Sequence, residues 1–104
     1  MKDSIVINME YADYDIIDGS PNVERHHLMG GSNRQKADED GLWVPLTYEH
    51  HQGKMGVHNN KEMKALSHII AQLAYELEMV STGKAQTKDD AKEMFRRRYG
   101  KSFL

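Results

Sequence analysis

His26 and His27 are adjacent, His50 and His51 repeat the pair, and His58 follows seven residues after His51. Five of the six histidines therefore fall within 33 residues. Imidazole is the commonest metal ligand and the usual general base near neutral pH. A cluster of this kind points to a metal ion with a base beside it. Neighbouring residues on a strand point to opposite faces. His26 and His27 can therefore serve one site only where the strand ends or bends, and "MGG" at 29–31 supplies such an end. One histidine could then hold an ion while the other addresses a water or substrate. Seven residues of unbroken helix would separate His51 from His58 by about 10 Å, too far to share an ion. Gly53 and Gly56 lie between them and argue for a loop that folds His58 back beside His51. His68 sits inside a helical pattern and reads as a boundary residue rather than a ligand.

The elements that must position these residues follow from periodicity. "SIVINMEY" reads as a strand or an irregular arm, and "DIIDGSPN" as a turn. "VERHHLM" reads as a short strand, "GGSNRQKADEDG" as a polar loop, and "LWVPLT" as a second strand. Pro45 places that strand at an edge or a bulge. "YEHHQGKMG" reads as a turn. From Asn60 the period changes, and Met63, Leu66, Ile69, Ile70, Leu73, Leu77 and Val80 recur at helical spacing. That spacing predicts a helix of about 20 residues, with Asn59 or Asn60 as its cap. "STGKAQ" breaks it. Thr87 then caps a second helix that runs to about Tyr99 and stops at Gly100. Strand, loop, strand and then helices make a small α+β domain.

Composition narrows the class. At 104 residues there is room for one core. Charged residues make up 29 %, as expected of a soluble globular chain. No apolar run spans a membrane and no signal peptide is visible, so a cytoplasmic location is expected. Cysteine is absent, which removes disulfides and thiolate zinc sites. The net charge of −2 does not suggest nucleic acid, but its distribution is uneven. Residues 1–25 carry −4, residues 26–83 carry −2, and residues 84–104 carry +4. The excess around "FRRRYGKSF" reads either as a phosphate-binding patch or as a solvated helix face near a helix C-terminus.

Strand with paired histidine, polar loop, strand, histidine turn and helix is the order of the ββα-metal finger. The strings "HHLMGGSNR", "GLWVPL", "EHHQGKMGVHNN" and "RRYGKSFL" resemble the HNH endonucleases, most closely the small phage and prophage HNH proteins. The resemblance covers roughly residues 15–104. It implies one HNH-like domain: an arm at 1–14, a ββα-metal core at 15–80 and a basic C-terminal helix at 86–100. His27 would be the general base that activates water. His26, His51 and His58 would hold one divalent ion, Mg, Mn, Ni or Zn. Asn33 is the choice for the middle motif residue, as a loop brace or a site residue, with Asn59 and Asn60 as alternatives. Arg34, Lys54 and Arg96, Arg97 and Arg98 would contact phosphate.

One departure stands out. Many members of the family carry a structural zinc on two cysteine pairs, and the matching places here hold Asp15, Asp18, Thr47 and His50. Tetrahedral structural zinc sites are mostly cysteine and histidine, so none is expected. The resemblance implies weakly specific nicking of DNA in the cytoplasm of a bacterial host. A homodimer and phage recombination or packaging proteins are the candidate partners. The alternatives are an inactive HNH-like module that binds nucleic acid, or a histidine-rich metal-binding protein unrelated to DNA.

Overall fold

The computed structural model describes residues 2–54 and 56–104. It is a mixed α+β arrangement of four helices and one two-stranded antiparallel sheet. The elements are β1 (Val23–His27), α1 (Arg34–Asp40), β2 (Trp43–Thr47), α2 (Tyr48–His51), α3 (Lys61–Ser81) and α4 (Lys88–Tyr99). Single 3-10 turns occupy Met9–Tyr11, Gly31–Asn33 and Val57–Asn59. The N-terminal residues are an arm, not a strand. It is strapped to β2 where Ser4 Oγ donates to the Trp43 carbonyl at 2.7 Å and Trp43 Nε1 donates to the Lys2 carbonyl at 2.9 Å.

β1 and β2 pair in the register Val23 to Thr47, with His26 opposite Val44 and His27 opposite Trp43. Pro45 lies opposite Arg25, and in a two-stranded sheet each strand is an edge, which tolerates a residue without an N–H. The segment expected as a polar loop instead contains α1. Its residues Arg34–Asp40 are mostly good helix formers, ended by Gly41 with φ 73°. Ala37 anchors this helix in the core at 0 % exposure. The expected histidine turn contains the short helix α2.

α3 and α4 follow the expected bounds closely. Asn60 accepts from the Met63 N–H at 3.0 Å and Thr87 Oγ1 accepts from the Asp90 N–H at 3.1 Å, so both N-terminal caps are formed. Tyr75 of α3 packs against Phe95 and Tyr99 of α4 with ring centroids 5.5 and 6.1 Å apart. α4 is tied to α1 through Asp40, whose Oδ2 accepts from Arg98 Nε at 2.6 Å and from the Tyr99 hydroxyl at 2.5 Å. The buried face of α3 is Ser67, Ala71, Gln72, Tyr75 and Glu76. Much of the leucine-rich stripe that announces the helix in the sequence faces solvent: Leu66, Leu73, Leu77 and Val80 are all exposed. No helix is long and apolar enough to cross a membrane among the described residues.

Candidate metal centre

His26, His51 and His58 arrive from β1, α2 and the turn before α3. One ring nitrogen from each lies within 4.8 Å of the others, close enough to share a metal ion. His26 and His51 are buried, and His58 is exposed. The Nε2 atoms of His51 and His58 are 2.8 Å apart. Gly53 and Gly56 make this fold-back possible. A Cβ at Gly53 would come 2.6 Å from the Glu49 carbonyl oxygen, and one at Gly56 would come 2.8 Å from the same atom. Asn59 then holds the loop, its Nδ2 donating to the Gln52 and Gly53 carbonyls at 2.9 and 3.0 Å.

Two of the three ligand candidates, His51 and His26, are oriented by a polar neighbour outside the cluster. His51 Nδ1 is 2.9 Å from Glu24 Oε1, and a carboxylate only accepts, so Nδ1 carries the proton and Nε2 presents its lone pair to His58. A carboxylate behind a ligating imidazole is the usual support for a metal-bound histidine. The bond to His51 holds the Glu24 carboxyl below its ordinary value. Glu24 shares a strand face with His26, two residues on, which explains why it reaches the same cluster. His26 Nε2 is 3.1 Å from Ser67 Oγ of α3. Burial first, and then the neighbouring His51 and His58, lower the His26 imidazole to about 3. It is therefore neutral at any ordinary pH, the form that binds a cation.

His26 and His27 leave opposite faces of β1, yet both border one cleft of about 500 Å³. They do so because the strand ends at His27 and the chain bends at Leu28 and Met29. His51, His58, Asn59, Arg25 and Arg34 border the same cleft. His27 stays outside the ligand cluster. Its Nε2 lies 3.0 Å from Asp38 Oδ1 on α1, which leaves Nδ1 to accept a proton. That bond lowers the Asp38 carboxyl.

The remaining candidates are dispersed. Asn33 Nδ2 donates to the Tyr99 carbonyl at 3.1 Å, a brace between α1 and the end of α4. Lys54 is exposed in the loop between His51 and His58. Arg96 and Arg97 pair with Glu93, and Arg98 with Asp40 and Glu39. Among the described residues lining the cleft, Arg25 and Arg34 supply the positive charge. Sequence reasoning passed over Glu24, Asp38, Ser67 and Arg25. Glu24 was within reach through strand alternation with His26. Asp38 needed α1 to be recognised as a helix.

Asp15, Asp18 and His50 also lie close enough to share an ion. Asp15 is already satisfied by the protein. Its Oδ1 accepts from the Ile17 and Asp18 N–H groups at 2.6 and 3.3 Å, and its Oδ2 from the Thr47 N–H and His50 Nδ1 at 2.6 and 2.7 Å. These residues thus form a hydrogen-bonded knot between the 15–20 turn and the end of β2. Comparison with protein-family models, curated proteins and solved structures finds no significant match for this chain.

Proposed function

We propose that the protein is a metal-dependent endonuclease of the HNH type, hydrolysing DNA phosphodiester bonds with weak sequence preference. The observation that carries this reading is the convergence of His26, His51 and His58 beside a fourth imidazole, His27, that faces the same cleft and is held by a carboxylate of its own. A purely structural histidine cluster gives no reason for that fourth, separately oriented ring. The reading is supported by the succession β1, β2, α3 expected of a ββα-metal core, with α1 and α2 lying between those elements.

The donor set suits a divalent cation. Three neutral nitrogen ligands favour Zn or Ni over Mg, and they leave the ion its full charge. When bound, the ion supplies Lewis-acid neutralisation of the phosphoryl and leaving oxygens. The protein's own groups do the rest. His27 Nδ1 takes a proton from water, and that water attacks phosphorus in line with the 3′ oxygen. The P–O bond to that oxygen breaks and the departing oxygen takes a proton from solvent, leaving a 5′-phosphate and a 3′-hydroxyl, the products the resemblance implies. Asp38 keeps the proton of the resting imidazole on Nε2 and stabilises the imidazolium that forms. Arg25 and Arg34 border the cleft where phosphate would lie. Arg25 is stacked 4.4 Å over the Trp43 ring, which stiffens its long side chain.

Nicking of supercoiled plasmid tests the reading. Purified protein and His27→Ala are compared in EDTA, Mg, Mn, Ni and Zn. Metal-dependent nicking by the wild type is expected to fall about 10²- to 10⁴-fold in His27→Ala, the usual contribution of a general base. Metal binding by the variant should be unchanged. Plasmid binding without cleavage in every metal would favour an accessory module, and equal cleavage by both proteins would remove His27 as the base.

A further inference from the structure

The histidine cluster borders a second cavity. It is smaller than the cleft, about 170 Å³, and His26, His27 and His58 line both. Two candidate ligands and the fourth imidazole are therefore the wall that the two spaces share. α3 supplies the far side of the second one. Lys64, Ser67 and His68 line it, and their spacing of three and four residues puts them on one helix face. Ser67 Oγ is 3.1 Å from His26 Nε2, so this is the face that α3 turns to the cluster.

Gly30 also borders both spaces. Its backbone, φ −106° and ψ −171°, is extended and open to any residue, and a Cβ there would meet nothing within 4 Å. Neither backbone strain nor packing requires glycine at this position. A bare backbone between the two spaces does allow a bound chain to approach closely.

The charge along this path has one sign. Among the described residues that line the two spaces none is acidic. Arg25 and Arg34 stand at the first and Lys64 at the second. Lys64 is exposed and has no ion-pair partner among the described residues. Its charge is felt in the cavity: after burial, Lys64 and then Lys101 lower the His68 imidazole. Beyond His68 the surface continues as Phe103, with ring centroids 4.7 Å apart, and Lys101 Nζ stands 5.0 Å over the Phe103 ring. Phe103 is pinned to α3, where its N–H donates to Gln72 Oε1 at 2.7 Å. Cations interleaved with rings are the composition of surfaces that hold a nucleic acid strand.

We infer that the DNA strand runs through both spaces, and that Lys64 binds a backbone phosphate on the other side of the shared histidines from Arg25 and Arg34. The inference rests on the nuclease reading and adds a second phosphate subsite to it.

Two measurements on the full chain test it. Binding of a labelled DNA duplex in EDTA is followed by fluorescence anisotropy over a salt series, and plasmid nicking is followed in the most active of Mg, Mn, Ni and Zn. Lys64→Ala should reduce the slope of log affinity against log salt by about 1 and weaken binding roughly threefold to tenfold. Most of its loss in nicking should appear as a raised KM, and Ni binding should not fall. Lys64→Arg should stay close to the wild type. Lys84→Ala removes the same charge from an exposed position beyond the far end of α3, a helix of about 30 Å, and should change neither measurement. Wild-type binding and nicking with Lys64→Ala and Lys84→Ala alike would overturn the subsite and leave the nuclease reading standing. No DNA binding and no nicking by the wild type would overturn both.

Discussion

Glu24 stands behind His51 as Asp38 stands behind His27, and the two carboxylates make separable predictions. Glu24 fixes the proton of a ligand candidate, so Glu24→Gln should weaken metal binding about 10- to 100-fold, the range for such supports. Calorimetric titration with Zn or Ni would measure it. The Asp38 carboxylate hydrogen-bonds His27, which is not one of the ligand candidates. Asp38→Asn should leave metal affinity intact and slow plasmid nicking on the order of tenfold to a hundredfold, part of the general-base contribution. If Asp38→Asn lowered metal affinity instead, the division between ligands and base would be wrong. At this scale the histidines were legible because residue type, adjacency and the glycines between His51 and His58 all act over short stretches of chain. Their supports were legible only in part. Strand alternation points from His26 back to Glu24, whereas Ser67 reaches His26 across 41 residues, a contact that no local pattern encodes.

Among the elements, the 15–20 turn is held to the end of β2 by one buried carboxylate. Burial alone would raise the Asp15 carboxyl, but hydrogen bonds from Thr47, His50 and Ile17 outweigh it and hold it at about 2. A carboxyl lowered in the folded state stabilises it above the unfolded value of 3.8 and loses that contribution as pH falls toward 2. The shift corresponds to about 2 kcal/mol. His50 is raised by the same bond, so its contribution is full in mild acid and declines as pH rises through its raised value. Urea unfolding should therefore find Asp15→Asn less stable than the wild type by about 2 kcal/mol at pH 5, with the gap closing below pH 3. A gap that persists at pH 2 would mean lost packing rather than lost ionisation. The long helices were readable because caps and period agree over many residues. α1 was not: six polar residues around a single alanine, in a stretch between glycines, resemble a loop, and only the burial of Ala37 distinguishes them. The stripe on α3 gave the helix correctly but not its buried face, because Ser67, Ala71 and Gln72 are buried by what packs on them rather than by their own hydropathy.

Across the whole molecule, the basic tail is not the charge nearest the cleft. Arg96, Arg97 and Arg98 are matched by Glu93, Asp40 and Glu39, whereas Arg25 and Arg34 border the histidines. Arg34→Ala should weaken plasmid binding and reduce the slope of log affinity against log salt by about 1, while Arg97→Ala changes neither. Equal losses from both would restore the tail as a phosphate surface. In the proposed enzyme three histidines, from β1, α2 and the turn before α3, hold one ion. Titration of the full chain with Ni, compared with His58→Ala and His50→Ala, tests it most directly. One ion per chain is predicted, lost in His58→Ala and kept in His50→Ala. Binding that survives His58→Ala and vanishes in His50→Ala would place the ion at Asp15 and Asp18 instead, and no binding at all would leave the cluster without a metal.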